Sequence, residues 1–370
     1  LEVDWGDDPG GEPESLGSLR DLGSEFEKKH GIFDPSSVYP LFANSIRSNE
    51  GKNVIEHQEE IGNLFSRFSE IASKNEFSWF KNYRSVQEIV ETTLQNRMVG
   101  FPYTKYMNSI IRVNQSAALV IMSAKKAKTL KIPYSKWIFL HGAGSLNDIW
   151  NITDRENLHS SPAIRKCSAA ILSKAGLSQA DGSFFDLYSC FPSAVQIAKK
   201  EIGIPNKDLR DLTVTGGLPY YGGPGSAYVV NSIASMMNKL RSNQGTYGMV
   251  NANGWFLTKH GLGLFSSKPF LGEWNQVIDS SLLQKEIDSQ KAPELVEQAS
   301  GVGYVETYTV VNSREGPTKA IIIGRLEDGR RFLANTKKDP NLLERMMKEE
   351  MLNIKGSVKY EDSRNVFHPV

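Results

Sequence analysis

The chain is predicted to fold as a layered α/β protein with a small β-barrel at its C-terminal end. Three observations predict this. Strand-like and helix-like runs alternate from Val113 to Ser267. Residues 296–370 hold short β-rich runs separated by polar turns, and residues 1–110 mix charge, aromatics and turn residues without such alternation.

In chain order, Ile61, Leu64, Phe65 and Phe68 recur at helical spacing and predict a helix over 57–72. The flanking stretches "VYPLFANSIRS" and "NRMVGFPYTKYMNS" read as irregular segments anchored by aromatics. "AALVIM" then reads as a buried strand, followed by a short helix over 125–129 and a strand at "KWIFLHG". Ser161 and Pro162 form a cap-and-first-turn signal, and the helix they open carries Ile164, Cys167, Ile171 and Leu172 on one face before stopping at Gly176. "SFFDLYSCF" reads as a strand, Pro192 opens a helix that ends near Gly203, and "DLTVTGG" reads as a strand entering a glycine-rich loop. Val229, Ile233, Met236, Met237 and Leu240 mark the apolar face of the next helix. "YGMVNANG" and "HGLGLFSS" close the layer as strands. Beyond residue 296, "GVGYVETYTVVN", "KAIIIGRLEDGRRFLANT" and "IKGSVKYED" predict an OB-like barrel with one helical stretch over 341–351. Three units follow: 1–110, 111–275 and 296–370.

Composition excludes several classes. The 43 basic and 42 acidic residues give no overall charge to favour nucleic acid. Two cysteines in 370 residues predict no disulfide framework and a reducing, cytoplasmic setting. The longest apolar runs fall far short of the ~20 residues needed to span a bilayer. No His/Cys spacing suits a metal. The chain opens on Leu1 in "LEVDWGDDPGGEPESLG", which reads as a start partway through a protein.

Chemistry concentrates in residues 185–260, where three strand ends deliver "DLYSCFPS", "TGGLPYYGGPGS" and "NANGWFLTKHG". Strand alternation puts Asp186, Tyr188 and Cys190 on one face. Cys190 precedes a helix whose dipole favours a thiolate, or else packs as a small core residue. Tyr188 is a candidate hydrogen-bond donor to an oxyanion, or the partner of a buried polar group. His260 follows Lys259, whose charge favours a neutral imidazole able to act as a base, with a structural role as the alternative. Gly142-Ala143-Gly144 follows a strand as a dinucleotide turn would. It lacks the third glycine and reads as an ordinary loop.

Together these three strand ends resemble the C-terminal half of the thiolase superfamily. They are closest in pattern to thiolase-like proteins of acetyl-CoA acetyltransferase type that carry an extra C-terminal β domain. "WGDDPGGEPESLG", "VYPLFANSIRS" and "NRMVGFPYTKYMN" resemble the stretch leading into that half. The resemblance implies two similar α/β halves, each with a five-stranded sheet, and a loop domain inserted in the first. Residues 1–110 are then mostly loop domain, 111–124 the last strand of an incomplete N-half, and 130–275 the C-half. It also implies a homodimer, a place in lipid metabolism, and coenzyme A as part of the substrate with no separate cofactor.

Thiolases act through a GHPxG histidine, a CxG cysteine and an asparagine or histidine in an NEAF or HDCF turn. Carried over, these positions hold Gly223, Ala252 and Tyr188. The nucleophilic cysteine belongs to the N-half. The resemblance thus implies acyl-CoA binding with altered carbon–carbon chemistry, of which retro-aldol cleavage is the natural choice. Tyr188, Tyr220, Tyr221 and His260 are the catalytic candidates; Gly222, Gly223, Gly225, Asn253 and Gly254 are the substrate-binding ones. A non-catalytic scaffold is the alternative, and a Rossmann-type oxidoreductase rests on strand–helix alternation alone.

Overall fold

The computed structural model describes residues 10–12, 20–21, 23–271 and 273–370. Of the stretch Trp5–Gly17, on which part of the resemblance rests, only residues 10–12 are among them.

A helical layer comes first: α1 (Glu25–Lys29), α2 (Pro35–Glu50), α3 (Val54–Lys74) and α4 (Val86–Val90). The "VYPLFANSIRS" stretch is therefore helix α2, not an irregular segment. Pro40 lies inside it, and proline removes the bond to the carbonyl four residues back. The chain uses that gap, because Gly100 packs against the Ser36 carbonyl so closely that a Cβ there would lie 2.3 Å from its oxygen. A small hairpin, β1 (Met98–Gly100) and β2 (Tyr103–Thr104), precedes α5 (Ala124–Thr129). The strand expected at "AALVIM" does not form. Ile121 is 92% exposed, and no described backbone bond is donated from residues 117–122. Apolar alternation without a ladder partner leaves a strand nothing to add to.

The α/β layer contains β3 (Phe139–Asn147), α6 (Pro162–Lys174), β4 (Gly182–Asp186), α7 (Pro192–Ile202), α8 (Tyr228–Ser242), β5 (Tyr247–Gly254), β6 (Lys259–Ser266) and α9 (Ser280–Asp288). Its described strands form one four-stranded sheet in the order β3-β6-β5-β4, with only β4 and β5 parallel. Met249, Leu262 and Leu264 face the main core, while Val250 and Phe265 turn to Met236 and Leu240 of α8. Helices thus cover both faces. As expected, Ser161 caps α6, its Oγ accepting from Ile164 N at 3.1 Å. Gly142-Ala143-Gly144 lies within β3 rather than in a loop after it. The reason is packing: a Cβ on Gly142 would lie 2.6 Å from Ile171 of α6.

Two further expectations fail together. Strand β4 stops at Asp186 instead of running through Cys190, and "DLTVTGG" forms no strand. The buried Asp186 carboxylate accepts from Val214 N at 2.8 Å and Thr215 N at 3.1 Å, and Gly216 N turns to Thr213 Oγ1 at 2.9 Å. Backbone donors that a ladder needs are consumed by side chains, so the segment wraps the carboxylate.

The tail comprises β7 (Gly301–Asn312), β8 (Pro317–Leu326), β9 (Arg331–Asn335), α10 (Pro340–Lys348), β10 (Lys355–Glu361) and β11 (Arg364–Pro369). Strand β10 pairs with both β11 and β7, which closes a five-stranded barrel, as the sequence predicts. Ala320, Ile322, Phe332 and Ala334 fill it. Their neighbours Ile321, Ile323 and Leu333 point outward yet belong to the main core. Both faces of β8 and β9 are therefore used up internally. Arg331 and Phe332 of β9 are buried. Among the described residues, no helix is long and apolar enough to cross a membrane.

Candidate functional site

The three loops that the sequence singles out are brought together by hydrogen bonds, although the glycine-rich one does not follow a strand. Tyr188 N donates to Asn251 Oδ1 at 3.4 Å, joining the loop after β4 to the end of β5. Ser189 Oγ accepts from Leu218 N at 3.1 Å, joining the same loop to the glycine-rich one. Asn253 Nδ2 lies 3.8 Å from Cys190 Sγ and donates to Tyr39 Oη at 2.9 Å. Tyr39 in turn stacks on Phe191, with ring centroids 4.4 Å apart. Helix α2 therefore supplies the floor of the site.

A fourth segment, absent from the sequence reading, closes the junction. Ser109 N donates to Cys190 O at 3.1 Å, Ile110 N to Leu218 O at 3.3 Å, and Gly223 N to Ile110 O at 2.8 Å. Gln115 Nε2 donates to Tyr221 O at 2.8 Å. A Cβ on Gly223 would lie 2.3 Å from Ser109 Oγ, and one on Gly222 would lie 2.2 Å from Gln115 Oε1. The space that a side chain at 223 would need is occupied. Two surface cavities, of about 380 and 310 Å³, open elsewhere: one beside Lys29 and Tyr360, the other between α6 and α7.

The candidate side chains fare unequally. Tyr188 is half-buried, its ring edge-on to Tyr228 at 5.4 Å, and burial pushes its phenol well above the ordinary range. It is a neutral donor. Tyr220 is buried against Phe65, and its hydroxyl has no partner among the described residues. Tyr221 is buried, with its hydroxyl donating to Asn231 Oδ1 at 3.0 Å. Burial pushes the Cys190 thiol up to about 12, which favours the packing role over the thiolate. Gly225 is exposed, while Gly254 is half-buried beside Lys259.

His260 belongs to a different assembly. Its Nε2 lies 3.1 Å from Asp148 Oδ2, and Asp148 also accepts from Ser161 Oγ and, at 3.0 Å, from Ala163 N. Burial alone would raise the Asp148 pKa. Its hydrogen bond to His260 and the charges of His260 and Arg155 outweigh that, so the group is held below its ordinary value. This is the N-terminal cap of α6, reinforced by a histidine. Asn253 pairs with His260 across β5 and β6, and Asn253 Oδ1 and His260 Nδ1 are both buried without partners among the described residues.

Among the described residues, no group of three or more His, Cys, Asp or Glu is arranged to hold a metal. The sequence reading missed Tyr39, Ser109, Gln115 and Asp148. Only Asp148 carried a local signal, an acid shortly before a Ser-Pro helix start.

Residues 282–363 match the model of the thiolase-like protein type 1 additional C-terminal domain. The whole fold is similar to a monomeric SCP2-thiolase-like protein type 1 from Mycobacterium smegmatis. That likeness has a TM-score of 0.85 and 33% identity, and covers 95% of this chain and 76% of that one. An Ltp2–ChsH2(DUF35) aldolase is similar at a TM-score of 0.53 and 17% identity, over 65% of this chain and 66% of that one, which speaks for the fold alone. No curated protein matches the sequence. With a barrel of this kind behind an α/β layer of this kind, the chain belongs to the SCP2-thiolase-like type 1 proteins of the thiolase superfamily, with their additional C-terminal domain.

Proposed function

We propose that the protein binds an acyl-CoA thioester at the joined loops without carrying out ordinary thiolysis. The observation that supports this is the identity of the three motif positions. Tyr188, Gly223 and Ala252 stand where thiolases keep their acid–base and oxyanion groups, and the space above Gly223 is filled by Ser109. Loss of a general base costs ~10²–10⁴ in rate, and loss of an oxyanion donor costs ~10²–10³. The backbone of Gly222, Gly223 and Gly225, with Asn253 and Gly254, is the part of the site we assign to the thioester.

Tyr188 favours a catalytic form of this reading. A half-buried neutral phenol is suited to donate to an enolate oxygen formed by retro-aldol cleavage of a 3-hydroxyacyl-CoA. In that step a base takes the hydroxyl proton, the carbon–carbon bond breaks to give a carbonyl product, and the acyl-CoA enolate is reprotonated. The burial of Tyr220, Tyr221 and His260 favours the other form, a non-catalytic binder, since it leaves these catalytic candidates little access to a bound substrate. Calorimetry with a panel of acyl-CoAs, followed by a cleavage assay, separates them. Binding with turnover supports the first form, binding without turnover supports the second, and no binding removes both. If turnover is found, Tyr188→Phe is expected to lower it by ~10²–10³ with acyl-CoA affinity nearly intact. Unchanged turnover removes Tyr188 from the chemistry.

Low cysteine content supports a cytoplasmic setting. The superfamily resemblance implies a homodimer, but the relative from M. smegmatis is monomeric, and we propose the monomer for this chain.

A further inference from the structure

The near-equal charge of the whole chain conceals one strongly one-sided stretch. Between Glu91 and Asp148 there is no aspartate or glutamate, while eight lysines and arginines occur. Five of them, Lys125, Lys126, Lys128, Lys131 and Lys136, fall on α5 and the turn after it, and all five are exposed. The unit is compact. Leu130 N and Lys131 N bond back to the carbonyls of Lys126 and Lys128 at 2.9 and 3.0 Å, and Trp137 Nε1 donates to Ile132 O at 3.1 Å. Arg241 brings a sixth cation from the end of α8, its Nε donating to Lys136 O at 3.0 Å.

None of these six cations forms an ion pair with a carboxylate of the described residues. Elsewhere the surface interleaves its charges, as Lys74–Glu70 and Lys348–Glu344 do on their helices. Like charges gathered without acids repel one another and contribute nothing to the fold. They become favourable when an anionic surface faces them.

Apolar groups share this face. Leu130 is 52% exposed and Tyr134 is 55% exposed. Lysine stems, an aliphatic side chain and a tyrosine make the composition that settles at a bilayer interface, with ammonium groups among the headgroups and apolar groups below them. A single-stranded polynucleotide asks instead for a run of free aromatic faces on which bases stack. Here Tyr134 is tilted against Trp137 and Phe139, at 5.1 and 6.0 Å.

We propose that α5 and the turn after it dock the protein peripherally on an anionic phospholipid surface. Lys125, Lys126, Lys128, Lys131 and Lys136 face the headgroup phosphates, and Leu130 and Tyr134 enter the interface. The proposal is independent of what the thioester loops bind.

The test is co-sedimentation with phosphatidylcholine vesicles, with and without phosphatidylserine. The protein should partition onto the anionic vesicles only, and less so as salt is raised. Joint Lys125→Gln, Lys126→Gln and Lys128→Gln changes should lower partitioning by about a hundredfold at low salt, and the independent pair Lys131→Gln and Lys136→Gln by about thirtyfold. Lys338→Gln, on the barrel side, should leave it unchanged. Far-UV circular dichroism confirms that each variant is folded. Equal partitioning onto neutral vesicles, absence of partitioning, parental behaviour of both lysine variants, or retention by a polynucleotide in place of vesicles would each overturn the proposal.

Discussion

Replacing Asp186 with alanine is expected to lower the stability of the protein by about 4 kcal/mol, and Asp186→Asn by about 2–3 kcal/mol. The carboxylate is fully buried and forms no ion pair with a cation of the described residues. It is matched by neutral donors: the hydroxyls of Thr213, Thr215, Tyr228 and Ser232 and the backbone N–H groups of Val214 and Thr215. Removing it strands the half-buried Val214 N–H, at about 1–3 kcal/mol, leaves Thr215 N–H only its 3.2 Å bond to Thr213 Oγ1, and releases four hydroxyls that can in part re-pair. Thr215 and Tyr228, already 2.7 Å apart, are one such pair. Asparagine keeps the shape but turns an N–H₂ group toward donors, which explains the intermediate cost. The effect reaches the site, because the segment that wraps Asp186 leads directly into Gly216–Gly225. Urea unfolding followed by circular dichroism measures it. A change below about 1 kcal/mol for Asp186→Ala would show that the loop is held by something else.

The second large effect is expected at Arg331, where alanine should cost about 3–5 kcal/mol. This guanidinium is 1% exposed although it sits on a barrel strand. Its Nη1 donates to Thr153 O at 2.9 Å and to Arg155 O, and its Nη2 to Glu156 O at 3.1 Å and to Glu306 Oε1 at 2.6 Å. One side chain thus fastens the barrel to the loop before α6. Loss of the fork leaves the Thr153 and Arg155 carbonyls unsatisfied, while the exposed Glu156 and the partly exposed Glu306 recover some hydration. Lysine is not a substitute, since one ammonium cannot span carbonyls set for a planar fork. Arg331→Lys should therefore cost at least half as much as Arg331→Ala. Urea unfolding reads the cost, and limited proteolysis across 289–300 reads the loosened barrel. Parental stability and cleavage in Arg331→Ala would contradict this assignment.

What the sequence made legible was whatever its neighbours decide locally. Helix α6 was readable because Ser161 caps it and Pro162 occupies the first turn. Strands β5 and β6 were readable because alternation separates Met249 from Val250 and Leu264 from Phe265, and the sheet buries both faces. Helix α2 was not, since Pro40 argues against a helix and only the distant Gly100 explains its tolerance. "DLTVTGG" has the composition of a strand, and its fate is set by Asp186, more than two dozen residues earlier in the chain. At the site, the convergence of the loops around Tyr188, Cys190 and Asn253 was legible through the thiolase resemblance. The floor at Tyr39 and the closure by Ser109 and Gln115 were not, because these contacts join segments with no local pattern in common. His260 was nominated from its neighbour Lys259, whereas its surroundings are set by Asp148 and Ser161, far away in sequence.

On the proposed function, these loops keep the shape of a thioester site and lack the groups that move protons in thiolysis. The direct test is the rate at which the protein cleaves a 3-ketoacyl-CoA in the presence of free coenzyme A. The expected result is no turnover above the uncatalysed rate, with the protein folded and acyl-CoA bound. Thiolysis at an enzymatic rate of ~1 s⁻¹ or more would contradict it.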